Sequence, residues 1–140
     1  MRKTLTLIAL AVAATLIVAA CSSSSGTSLT GKTWQMTAIT EKVPAFQGVV
    51  PDAQQANYTI EFKSDGSFRA KADCNQVAGT YTTTSSGGLT ILVGPSTLVA
   101  CAADSMSDQY VAALGNAASY ATANSQLTIT LTAEGALTYK

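Results

Sequence analysis

Histidine is absent from all 140 residues, and charge is scarce: eight Lys and Arg against eight Asp and Glu, together 11% of the chain. Without histidine a nucleophilic serine would need lysine or a carboxylate as its base, and no serine here stands in a nucleophile elbow or a paired motif. Asp65, Asp73, Asp104 and Asp108 fit turns, sheet exposure and helix capping better than acid-base work. No catalytic residue and no cofactor is therefore expected, and the protein reads as a non-enzyme. A metal site is excluded on similar grounds, because Cys74 and Cys101 lack the close paired spacing of a zinc site. Nucleic acid is excluded as a partner too, since neutralising phosphates needs a basic face.

Long apolar runs are confined to the N-terminus. Arg2 and Lys3 precede an uncharged stretch from Leu5 to Ala20, and Val18-Ala19-Ala20 runs directly into Cys21. Those sixteen residues fall short of the roughly 20 that span a bilayer as a stable helix. The arrangement resembles a bacterial lipoprotein signal. That resemblance implies removal of residues 1–20, a lipid on Cys21 and attachment to a membrane. Each buried methylene of such a lipid adds about 0.8 kcal/mol, so a multiply acylated cysteine would be held almost permanently. An uncleaved single-span anchor is the alternative, opposed by the polar run that follows and the lack of a charged stop-transfer flank. Residues 21–28, Ser-rich after Cys21, read as a flexible tether.

Residues 29–140 then form one domain with one core. Without Arg2 and Lys3, six basic residues face eight acidic ones, a net charge near minus two. With Cys21 consumed by lipid, Cys74 and Cys101 remain for one disulfide of an exported domain. Two buried free thiols are the alternative.

Alternation predicts most of the domain. Trp34, Met36 and Ala38 share one face of a strand over 33–39, which assigns the only tryptophan to the core. From Glu41 to Asn57 periodicity fails around Pro44, Gly48 and Pro51, predicting a long connection that either covers the core or offers Phe46, Val49 and Val50 to a partner. Tyr58, Ile60 and Phe62 alternate before an Asp65-Gly66 turn, and Phe68, Ala70 and Ala72 resume after it, with Cys74 continuing the inward phase. Val77, Gly79 and Tyr81 mark the next strand. Gly87-Gly88 turns it into Leu89–Val93, which Gly94-Pro95 ends. Met106, Tyr110, Leu114, Ala117 and Ala121, widened by Val111 and Ala118, predict a helix over 105–119, capped by Asp104 or Ser105 with Asp108 in its first turn. Leu127, Ile129 and Leu131, a turn at Glu134-Gly135, and a strand around 137–139 close the chain. The fold class is α+β: a strongly curved antiparallel sheet, partly barrel-like, with one amphipathic helix packed on it.

Tyr58-Thr-Ile-Glu-Phe62, Asp65-Gly66, Asp73-Cys74-Asn75 and Gly79-Thr-Tyr81, with Ser96-Thr97, Ala100-Cys101 and Leu127-Thr-Ile-Thr-Leu131, resemble the META domain, the family of HslJ-like envelope lipoproteins. The resemblance covers residues 29–140. Asp73 departs from it where glycine is common, and Leu98 where a basic residue often follows the Ser-Thr pair. Chemically the motif reads as turn chemistry. Asn75 tolerates left-handed geometry beside its own backbone, and Gly79 permits close backbone approach next to Tyr81.

Two functions follow as expectations. One is a non-enzymatic, membrane-anchored interaction module for an envelope protein partner, with the stress-response and drug-tolerance roles that the family resemblance implies. The other is a carrier of a lipid or small hydrophobic ligand inside the curved sheet, left open by the small residues Ala38, Ala70, Ala72 and Gly79. A monomer is expected. The location is the outer membrane facing the periplasm in a double-membraned host, or the outer face of the plasma membrane otherwise.

Overall fold

The computed structural model describes residues 28–140. The signal reading of residues 1–20, the lipid on Cys21 and nearly all of the tether lie outside the described residues.

The elements are β1 (Thr33–Lys42), β2 (Ala45–Val49), a 3-10 helix (Asp52–Asn57), β3 (Tyr58–Phe62), β4 (Ser67–Ala72), β5 (Asn75–Thr83), β6 (Leu89–Ser96), α1 (Ser107–Gly115), β7 (Ala117–Ala123), β8 (Gln126–Leu131) and β9 (Gly135–Tyr139). The strands form one antiparallel sheet in the order β6-β5-β4-β3-β1-β9-β8-β7, with β2 paired to β1 beside that path. The sheet curls until its two end strands approach: Gly88 bridges Ser119, and the Tyr120 N–H donates to the Gly87 carbonyl at 2.9 Å. The result is a mainly β, α+β half-barrel, as the alternation patterns predict.

Its concave side is filled. Trp34, Met36, Ile60, Phe62, Phe68, Leu127, Ile129 and Leu137 are buried there, with Tyr110 and Leu114 of α1 among them. Ala70 and Ala72 leave room that α1 occupies, since the helix packs on β4 and β6. Burying Leu- or Phe-sized side chains is worth about 1.5–3 kcal/mol each, so this packing is the main source of stability. Trp34 is fully buried, its Nε1–H donating to the Leu29 carbonyl at 2.9 Å, while the Lys32 ammonium lies 3.9 Å from its ring centre. Of the small residues on which the carrier reading depended, Ala70 and Ala72 are buried in this core, while Ala38 and Gly79 are only half-buried.

The hairpin of β3 and β4 pairs Tyr58 with Ala72 and Phe62 with Phe68, the predicted alternation. Elsewhere the structure corrects the sequence reading. β1 runs on to Lys42, and a bulge between Met36 and Ala38 shifts its phase, so Ile39 rather than Ala38 points into the core. The 41–57 stretch is no long loop but the end of β1, the β2 hairpin arm and the 3-10 helix. β6 continues through Gly94 and Pro95, because a bulge between Val77 and Gly79 absorbs the proline.

The helix is shorter than predicted. It starts at Ser107 after Met106, with no side-chain cap from Asp104 or Ser105 of the expected kind; instead the Ser105 Oγ accepts from the Ser107 N–H at 3.1 Å, and the Tyr58 hydroxyl from the Met106 N–H at 3.0 Å. It stops at Gly115, a weak helix former, and Ala117 to Ala123 become β7. Pairing along β8 outweighs the helical tendency of those alanines.

Candidate functional site

Between β6 and α1 the chain crosses from the sheet to the helix through residues 97–106, a segment with no regular structure. Irregular backbone needs other partners for its polar groups, and here Asn75 supplies them. Its side chain is buried at the start of β5. Its Oδ1 accepts from the Val99 N–H at 2.8 Å and from the Thr97 hydroxyl at 2.9 Å. Its Nδ2 donates to the Val99 carbonyl at 3.0 Å and to the Ser107 Oγ at 3.2 Å. Thr97 also ties the segment to β5 through its Oγ1, which accepts from the Gln76 N–H at 3.0 Å. One residue away, a disulfide joins Cys74 to Cys101 with Cα atoms 5.6 Å apart. The Asn75 amide, Thr97 and one covalent bridge thus fasten the crossover to the start of β5 and the β4–β5 turn.

Two details of the sequence reading change here. Asp73, not Asn75, takes the left-handed conformation, with φ 58°, while Asn75 is an extended strand residue whose partners lie 22 to 32 positions away. Cys74 is exposed at the turn rather than inward, because the two-residue turn resets the phase.

Other motif residues gather at the opposite end of β4. Gly66 turns the hairpin at φ 84°, and the Asp65 Oδ1 accepts from the Ser67 N–H at 2.9 Å and the Ser67 hydroxyl. Those bonds hold the Asp65 carboxyl below the usual carboxylate range. Tyr81 donates from its hydroxyl to the Lys63 carbonyl at 2.7 Å and from its N–H to the Gly66 carbonyl at 2.8 Å. Partial burial, then the Asp65 charge, raise the Tyr81 pKa. Gly79 sits between the two knots, where a methyl group would strike the Leu92 carbonyl and the Phe68 ring. The close approach expected of this glycine is therefore real. In both knots the side chains bond backbone groups and neighbouring hydroxyls, so their visible role is to hold the chain in place.

The anticipated contact patch of Phe46, Val49 and Val50 does not form. The three face different surroundings: Val50 is buried in the core, Phe46 packs half-buried against it, and Val49 is 72% exposed on β2. Strand alternation in β2 separates them, which a loop would not have done. Among the exposed apolar residues that sequence reasoning missed, two lie on the crossover, where Leu98 is 94% and Val99 57% exposed. Beside them runs a groove of about 270 Å³ between the crossover and α1, lined by Asn75, Thr97, Leu98, Ser107 and Val111. A larger one, about 450 Å³, opens on the outer face among Arg69, Val77, Ala78, Pro95 and Thr97. Only the clustering of Ser96-Thr97 and Ala100-Cys101 in the motif could have signalled this segment.

Beneath the crossover, Tyr110 packs edge to face against Tyr58 and tilted against Tyr139, with ring centres 6.0 and 6.5 Å apart. Tyr110 donates to the Thr59 carbonyl at 3.2 Å and accepts from the Tyr139 hydroxyl at 3.4 Å. Burial pushes the pKa of both Tyr110 and Tyr139 well above the ordinary phenol value.

Comparison with known proteins agrees with this architecture. A solved protein from Burkholderia xenovorans, determined by NMR, is 21% identical, with a TM-score of 0.64 over 80% of this chain and 82% of its own. A crystal structure of a DUF4847 family protein from Bacteroides vulgatus is 16% identical, with a TM-score of 0.58 over 79% of this chain and 92% of its own. At these identities the likeness is one of fold. No curated protein matches. The family model of the META domain matches residues 27–140, spanning the whole half-barrel, its two motif knots and the braced crossover, and the chain belongs to the META domain family.

Proposed function

We propose that this protein is a non-enzymatic binding module of the cell envelope, tethered to a membrane by lipid on Cys21, and that the braced crossover is the surface it offers to an envelope protein partner. The observation that carries this reading is Leu98, 94% exposed on a segment that Asn75 and the Cys74–Cys101 bridge fix in place. A leucine and a valine held out to solvent on a rigid support lose little freedom on binding, which favours their use as anchors. A role in envelope stress or drug tolerance rests on the family resemblance. The location proposed is the outer membrane facing the periplasm in a double-membraned host.

A small-molecule reading has its own support in the groove of about 450 Å³ beside Arg69 and Pro95. It lies on the outer face of the sheet, and its size suits a small ligand.

Photo-crosslinking from position 98 of the full chain in intact cells separates the two. A discrete crosslinked protein, lost in the Val99→Ser variant at unchanged stability, supports the interaction module. No crosslink at 98, with a bound small molecule released from the purified chain on organic extraction, supports the second reading. Labelled fatty acid in the parent chain and none in Cys21→Ser tests the anchor separately.

A further inference from the structure

β2 is an edge strand whose outer side is unpaired among the described residues. The Val50 N–H donates to the Thr37 carbonyl at 2.9 Å, which sets the parity of the β1–β2 ladder. Val50, Gly48 and Phe46 therefore direct their backbone groups toward β1, and Ala45, Gln47 and Val49 direct theirs outward. These outward groups have no hydrogen-bond partner among the described residues, and all three residues are exposed. Edge strands are ordinarily protected by charge, proline, bulges or a covering element. Ala45-Phe-Gln-Gly-Val49 contains no charge and no proline, and its pairing with β1 is free of bulges.

We infer that β2 pairs with β2 of a second copy of this chain, antiparallel about a two-fold axis at Gln47. The choice of partner comes from the strand's self-complementarity. Centring the axis on Gln47 sets Gln47 against its own symmetry mate and Val49 against Ala45 of the second copy, so every outward backbone group finds a partner. The large exposed Val49 side chain meets a small one, two amides meet across the axis, and no like charges face one another. A two-fold interface requires one patch to fit itself, and this pentapeptide does. A five-residue strand buries less than the roughly 1,200–2,000 Å² of a stable interface. The chain is then monomeric when dilute and pairs where copies are concentrated, as tethering to a surface would do. That last clause rests on the membrane-anchored reading; the pairing geometry does not.

Cysteine crosslinking of the full chain tests register as well as association. Across a hydrogen-bonded antiparallel pair the Cα atoms lie about 5.5 Å apart, within the roughly 4.4–6.8 Å that a disulfide spans. Gln47→Cys is expected to give a disulfide-linked dimer in the envelope of its own host under mild oxidation, beyond any dimer the parent forms through Cys21. Val49→Cys alone is expected to give at most one-tenth as much, whereas Val49→Cys mixed with Ala45→Cys crosslinks as well as Gln47→Cys. Thermal unfolding of each variant confirms the fold, since all three side chains are exposed. No dimer from Gln47→Cys either in the envelope or purified and concentrated, or equal dimer from Val49→Cys alone, overturns the proposal. The same variants, purified and concentrated, separate the pairing from the anchor: a crosslink there without one in cells that also lack membrane-bound protein condemns the anchor and retains the strand pairing.

Discussion

The crossover and the β1–β2 hairpin are opposites. The crossover, residues 97–106, has no regular structure, yet Asn75, Thr97 and the Cys74–Cys101 bridge tie it down at several points. The hairpin is regular, but among the described residues no disulfide holds it, and β2 keeps an open edge. Exposed apolar side chains occur on both, Leu98 and Val99 on one and Val43 and Val49 on the other. Regular secondary structure and local rigidity are thus separate properties. Long-range side-chain bonds decide the second.

The sharpest way to break the contrast is Asn75→Ala. It strips partners from the Val99 N–H and carbonyl and from the Thr97 and Ser107 hydroxyls, and should cost roughly 3–4 kcal/mol in denaturant unfolding with the disulfide intact. The matching truncation on the hairpin, Gln47→Ala, should stay within about 0.5 kcal/mol. Equal costs would dissolve the distinction.

Replacing both Cys74 and Cys101 with serine removes the covalent half of the brace. The bridge joins residues 27 apart, and its loss should cost about 3 kcal/mol. Hydrogen exchange should quicken in residues 97–106 while the amides of β1 and β2 keep their protection.

Alkaline pH probes the tyrosines under the crossover. Burial raises the pKa of Tyr110 and Tyr139 above the ordinary 10.0, so the folded state keeps their protons where the unfolded chain loses them. Their contribution is fully present below about pH 10 and declines above it, by about 1.4 kcal/mol per pH unit for each tyrosine. Tyr110→Phe should flatten the fall of stability between pH 10 and 12, read by denaturant midpoints. An unchanged slope would remove that tyrosine from the account.

The smallest effect is expected at Asp73, held at φ 58° in the turn before the bridge. Glycine there relieves a left-handed conformation that L side chains adopt at a cost, and Asp73→Gly should gain under about 1 kcal/mol in the same assay.

Much of the fold was legible because neighbours in sequence make it. The β3–β4 hairpin followed from strict alternation and an Asp-Gly turn, and β8 and β9 from theirs. The helix was overextended because alanines at 117, 118 and 121 satisfy a helical stripe as readily as a strand, and β8 decided between them. The hairpin of β2 was hidden by a bulge near Thr37 that inverts inside and outside, a shift no period can carry. At the site, the motif's residues were visible and their job was not. Asn75 looks like a turn residue beside Cys74, and its partners lie across the fold.

By itself the sequence determined a histidine-free, charge-poor chain, the alternating strands that curl into the half-barrel, and the two cysteines of the domain free to pair with each other. These depend on residue type and spacing, which local physics reads directly. Only the tertiary structure decided which apolar residues are core and which are surface. It moved Val50 inward, left Val49 on an open edge, and held Leu98 out to solvent on a segment fixed by a buried amide. That sorting depends on long-range partners, and no stretch of chain carries the identity of what it will be packed against.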